Sequence, residues 1–74
     1  MKKEMDMYLI GRRIRKRREE LELSQDTLAK RMGYAHRSSV SKIENGERDF
    51  PVSVLCKFAQ VLGVSLTALV GGEQ

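Results

Sequence analysis

The sequence predicts an all-α fold, five short helices in one compact bundle with a helix-turn-helix at its centre. Three observations carry this expectation. Apolar residues recur at spacings of three and four along the chain, the period of one helix face. Ser24 and Ser65 stand where helices begin, and Gly33, Gly46 and Gly63 stand where they end. Residues 24–46 read as two helices joined by a tight turn that contains Gly33.

With 74 residues there is room for one domain, near the size at which a core just holds without staples or metals. A hydrophobic content of 41% with two Phe, two Tyr and no Trp suits a small aliphatic core. The formal charge of +4 and the pI of about 9.6 point to a polyanionic partner. Cys56 is the only cysteine, which excludes an intramolecular disulfide framework and fits a reducing compartment. Its place in a helical apolar pattern predicts a buried small hydrophobe. No apolar run approaches the ~18 residues of a membrane span, and the N-terminus lacks the apolar stretch of a signal peptide, so a cytoplasmic location is expected.

Taken in order, residues 1–7 (MKKEMDM) mix charge with flexible apolar side chains, show no clear cap, and are expected to form a flexible leader to a domain over residues 8–72. The first helix is expected over residues 8–21, with Ile10, Ile14 and Leu21 on its buried side. Inside it, RRIRKRR (residues 12–18) holds six of the fourteen basic residues. At ~100° per residue, Arg17 falls near the centre of the apolar stripe and Arg18 near its edge. Arg17 can lay its methylenes on apolar surface with its guanidinium in water, whereas Arg18 needs a partner, for which Glu22 is the local candidate. Arg12, Arg13, Arg15 and Lys16 read either as phosphate contacts or as a solvated face, partly compensated by Glu19, Glu20 and Glu22.

The second helix begins at Ser24 as N-cap, with Asp26 in its first turn and Leu23 against Leu28 as a hydrophobic staple. Leu28, Ala29 and Met32 face inward, Gln25 sits at the exposed N-terminal edge, and Gly33 stops the helix. After Tyr34, Ala35 and His36, the third helix is expected over residues 37–45, with Val40 and Ile43 facing the core. Its outer face carries Arg37, Ser38, Ser41, Lys42 and Asn45. Ser and Asn reach base edges or phosphates without bulk, and Arg and Lys favour guanine or phosphate. An ordinary surface helix carries Glu and Lys in quantity; this one carries almost no acid, the pattern of a helix that lies in a DNA major groove.

In the loop of residues 47–51, Phe50 is expected to cover core and Pro51 to preset the next helix. The fourth helix, residues 52–62, turns Leu55, Phe58, Ala59 and Leu62 inward and stops at Gly63. Ser65 caps a last short helix, where Val64 and Leu69 repeat the staple. Leu66, Leu69 and Val70 are not all needed inside, so this end is the expected dimer surface. Catalysis finds no support. His36 has no second His or Cys to complete a metal ligand set, the serines lack a base at a credible spacing, no Gly-rich phosphate loop is present, and no cofactor is expected.

The segments SQDTLAKRMG, SVSKIENG and LCKFAQVLGVSLTALVGG together resemble the phage repressor and Cro family, the lambda-repressor-like or xenobiotic-response-element-type helix-turn-helix domains, over roughly residues 9 to 71. The turn is about one residue longer than in the shortest members. The resemblance implies a five-helix DNA-binding transcription factor that acts as a homodimer on a two-fold symmetric operator. It further implies that Arg18 pairs with Glu44, the acid of the ENG that closes the reading helix, and that the following loop borders the DNA backbone.

The reading is a sequence-specific regulator of double-stranded DNA, a repressor that acts by occupying a promoter and is not an enzyme. Arg37, Ser38, Ser41 and Lys42 are the expected base contacts, and Ser24, Gln25, Asn45 and Arg48 the expected backbone contacts, with Gln25 also bracing a reading side chain. Two half-sites one helical turn (~34 Å) apart would match a dimer. Two alternatives stand beside this reading. One is an antitoxin-like or accessory protein-interaction module; the other is the DNA-binding part of a longer repressor, for which Gly71 and Gly72 would suit a linker.

Overall fold

Five α-helices account for most of residues 6–71, the part of the chain that the computed structural model describes: α1 (Met7–Glu20), α2 (Gln25–Met32), α3 (Arg37–Glu44), α4 (Val52–Leu62) and α5 (Leu66–Val70). The first five residues of the expected leader lie outside the described residues. Asp6 and Met7 belong to the domain, because the Asp6 carboxylate accepts hydrogen bonds from the backbone N–H of Tyr8 (3.0 Å) and Leu9 (3.2 Å) and so caps α1. Ser24 and Ser65 cap α2 and α5 in the same way, through the N–H groups of Thr27 and Ala68. Gly33, Gly63 and Gly71 close α2, α4 and α5 in the left-handed conformation that glycine adopts freely.

One face of each helix meets a shared core. Ile10 and Ile14 of α1, Leu28, Ala29 and Met32 of α2, Val40 and Ile43 of α3, Leu55, Phe58, Ala59 and Leu62 of α4, and Leu69 of α5 are all buried. Phe50 of the α3–α4 loop tilts onto Phe58, with ring centroids 6.1 Å apart, and extends the core over the loop. Two residues depart from the expected pattern. Leu21 is 38% exposed, because α1 ends at Glu20 and Glu22 turns the chain through a positive φ of 58°. The place expected for Leu21 in the buried stripe is filled by Arg18. Cys56 is exposed. The inward face of α4 runs through Leu55, Phe58, Ala59 and Leu62, and Cys56 lies about 100° round the helix from Leu55.

Three arginines of the basic run turn toward other helices. Arg17 was expected to keep its guanidinium in water, but its Nε donates to the carbonyl of Leu62 (2.9 Å), the last residue of α4. There a cation meets the negative end of the helix dipole. The Arg13 guanidinium reaches the C-terminal end of α5, where it would block a side chain at Gly71. Arg18 is buried and forms a two-pronged ion pair with Glu44 of α3, Nε to Oε2 at 2.6 Å and Nη2 to Oε1 at 3.2 Å. Its Nη1 donates to the carbonyl of Leu23 (2.8 Å), just ahead of α2. The local alternative, Arg18 with Glu22, is not formed. Gln25, the first residue of α2, completes the site by donating from Nε2 to Glu44 Oε1 (3.0 Å). Among the described residues no buried side-chain polar atom lacks a hydrogen-bond partner.

Close approach of α1 to the end of α3 requires glycine on both sides. A Cβ at Gly11 would overlap the carbonyl oxygen of Ile43 and stand 2.7 Å from that of Glu44. A Cβ at Gly46, the residue after the Asn45 cap, would stand 2.8 Å from the Cα of Tyr8.

Two predictions test this frame. Gly11→Ala forces backbone against backbone and should destabilise the domain toward the upper end of the about 1–3 kcal/mol typical of overpacking, despite alanine's better helix propensity; urea unfolding measures it, and an unchanged midpoint would remove the contact from the account. Arg18→Met alone strands a buried carboxylate and should cost about 3–5 kcal/mol, whereas Arg18→Met combined with Glu44→Leu should cost much less than the sum of the two single changes. Additive losses in that cycle would refute the pair.

Candidate nucleic-acid interface

The core places α3 so that one side is sealed and the other is open. Val40 and Ile43 are fully buried and Glu44 nearly so, while Arg37, Ser38, Lys42 and Asn45 are exposed and Ser41 is half-buried between them. At ~100° per residue Ser38, Ser41, Lys42 and Asn45 share one face, with Arg37 at its N-terminal edge. The sequence forms a helix here without strong propensity: three serines and a β-branched pair are poor helix formers. Tertiary packing on α1 and α2 holds it instead, with the left-handed Gly46 just beyond its end. His36 occupies the N-cap position without a side-chain cap hydrogen bond, so its side chain satisfies none of the first-turn N–H groups of α3.

The side chains around α3 are less free than their exposure suggests. The Ser24 hydroxyl accepts from the Thr27 N–H and donates to the Thr27 hydroxyl, both at 3.0 Å, so its own chemistry is spent on the cap. Gln25 spends one amide N–H on Glu44 and keeps the second. It therefore joins the start of α2 to the end of α3 across the turn. The Arg48 guanidinium stacks over the Tyr34 ring at 5.8 Å from its centroid, which ties the loop after α3 to the turn before it. Ser24, Gln25, Asn45 and Arg48 thus lie on the segments that border α3, and Arg37, Ser38, Ser41 and Lys42 on α3 itself. The pair Arg18–Glu44 lies beneath the helix and touches neither group except through Gln25.

Sequence reasoning missed Gly11, Tyr34 and Asp6. Gly11 carried a signal, since a glycine in mid-helix marks a close contact. The Tyr34 and Arg48 stack had none, because the two are separated by a whole helix. Among the described residues no group of His, Cys, Asp and Glu could hold a metal ion, and no helix is long and apolar enough to cross a membrane.

The HTH_3 family, described as helix-turn-helix, matches residues 14–69. Solved structures that share the fold include the following three. The restriction-modification controller protein C.AhdI from Aeromonas hydrophila is 34% identical, with a TM-score of 0.79 over 86% of this chain and 96% of that one. A hypothetical transcription factor, NHTF, from Neisseria is 25% identical, with a TM-score of 0.81 over 95% of this chain and 85% of that one. An HTH_3 family transcriptional regulator from Vibrio cholerae is 26% identical, with a TM-score of 0.78 over 93% of this chain and 38% of that one. No curated protein matches the sequence. The match spans the helix-turn-helix and the helices that support it, and the chain is accordingly a member of the HTH_3 helix-turn-helix family and a DNA-binding transcriptional regulator.

Proposed function

We propose that the chain is a sequence-specific repressor that occupies its operator as a homodimer, with α3 in the major groove. The observation that carries this reading is the division of α3: an apolar and ion-paired inner side, held at three points, and an outer side of small polar and basic residues with no acid among them. Arg37, Ser38, Ser41 and Lys42 read base edges. Asn45, Arg48, the free amide N–H of Gln25 and the start of α2 at Ser24 hold the phosphates on either side. The Tyr34 stack keeps Arg48 ordered before DNA arrives, which lowers the entropy lost when it engages.

One such domain makes few contacts, and specific binding at physiological salt calls for a second copy. The α5 end supports the dimer: Leu69 is buried and Val70 packs on the core, while Leu66 stays 37% exposed. The likeness to a restriction-modification controller, covering nearly all of that protein, favours a role in the control of transcription.

Selection from random duplex DNA with the purified chain tests the proposal. Enrichment of an inverted repeat with half-sites one turn apart is the expected result, and absence of any enriched motif would move the specificity to another partner. On the enriched sequence, Lys42→Ala should cost about 1–3 kcal/mol and relax preference at one position; Arg48→Ala should weaken all sequences alike and flatten the salt slope by about one unit. If Lys42→Ala weakened every sequence equally, α3 would not be the reading surface in this register.

A further inference from the structure

We propose that α1 carries a second phosphate contact, which extends the DNA footprint of each domain beyond the base pairs read by α3. This rests on the DNA-binding reading and adds residues that it does not use. A groove open to solvent runs along the outer side of α1, lined by Tyr8, Leu9, four basic residues of the run (Arg12, Arg13, Arg15 and Lys16) and Glu19, and its far wall is Glu44 and Asn45 at the end of α3. The groove is therefore continuous with the proposed interface at Asn45. Gly11 and Gly46 cause this continuity, because only their missing side chains let the start of α1 lie against the end of α3.

Charge and partners point to an anion. Arg17 and Arg18 are turned toward other helices, and Arg13 lines the groove but extends its guanidinium to the end of α5, which leaves the charged ends of Arg12, Arg15 and Lys16 on the groove side of the basic run. Arg15 pairs with Glu19 at 3.1 Å, and the Glu44 carboxylate is already taken by Arg18 and Gln25. Lys16 makes no ion pair or hydrogen bond among the described residues. Arg12 donates one N–H to the Tyr8 hydroxyl (3.1 Å) and lies over its ring at 5.7 Å, which holds the guanidinium at the groove with its other donors free. A positioned guanidinium and a free ammonium one helical turn apart suit successive phosphates of a backbone, and the exposed Tyr8 ring and Leu9 offer apolar surface to the sugars between them.

The test compares the full chain with Arg12→Gln/Lys16→Gln, two exposed positions whose change leaves the core intact; thermal melting confirms the fold. The enriched duplex is prepared in a short form that ends at the motif and a long form with half a helical turn (about 5 base pairs) added on each side. The unchanged chain should bind the long form more tightly and with a steeper salt dependence. The double variant should keep the sequence preference, bind both forms alike, and lose about 0.9 from the slope of log K against log salt on the long form for each phosphate contact removed. A chain indifferent to the added base pairs, or a double variant that keeps the gain, would overturn the proposal and leave the groove to an acidic protein surface. Failure to enrich any motif would count against sequence-specific reading alone; the slope difference on a long mixed-sequence duplex would then decide for or against the groove.

Discussion

The buried carboxylate of Glu44 is the constraint from which the rest of the structure follows. A charge at 3% exposure is tolerated only when its oxygens are fully hydrogen-bonded, and three donors from two other helices do this, two from Arg18 and one from Gln25. Val40 and Ile43 alone would hold α3 against the core by contacts that tolerate sliding and rotation, because apolar packing is not directional. The carboxylate removes that freedom, since rotating α3 about its axis by even part of a residue would break bonds at about 3 Å. Replacing a buried pair by apolar residues often leaves stability unchanged, so its value here is the angle of α3 more than net stability.

The basic run of α1 shows how little a net charge says about where charge acts. Three of its members serve the fold. Arg18 meets a carboxylate, Arg17 meets the carbonyl end of α4, and Arg13 reaches the end of α5, each a place where negative charge or partial charge gathers. Spacings of four and five residues put these three on the core side of α1, next to Ile10 and Ile14. A helix in contact with three others thus uses cations where a larger protein would use apolar side chains, and the long methylene stems supply the covering surface. What remains exposed to solvent is about half of the run: Arg12, Arg15 and Lys16.

The fold was legible wherever one residue acts on its own neighbours. Caps at Ser24 and Ser65, stops at Gly33 and Gly63, and the stripes of α2 and α4 depend on positions within one turn, and they stand where local rules place them. Asp6 obeys the same rule but was hidden by the charged residues around it. Leu21 was misjudged because a stripe continues in sequence even where the helix has ended, and a positive φ at Glu22, which costs an ordinary residue about 1 kcal/mol or more, has no compositional mark. Cys56 was misjudged because a small sulfur side chain in an apolar stretch reads as core until the phase of the neighbouring stripe is counted. The surface of α3 was legible for a different reason, since its composition departs from that of an ordinary solvated helix. The braces behind it were not: nothing in the residues alone joins Tyr34 to Arg48, and the join of Arg18 to Glu44 came from resemblance.

These braces decide what kind of recognition so small a domain can achieve. The outer face of α3 combines short Ser and Asn side chains, which lose little entropy on binding, with Arg37 and Lys42, which reach further but lose more. Each contact is then useful only if the backbone that carries it arrives in register, and an error of an ångström in the helix would forfeit most of them. The Glu44 bonds fix the C-terminal end of α3, Gly11 sets its distance from α1, and the Tyr34–Arg48 stack joins the segments on either side. Stiffness supplied from beneath in this way leaves the outer residues of α3 with no part in holding the helix, so on the proposed reading that face can change its sequence preference while the fold stays the same.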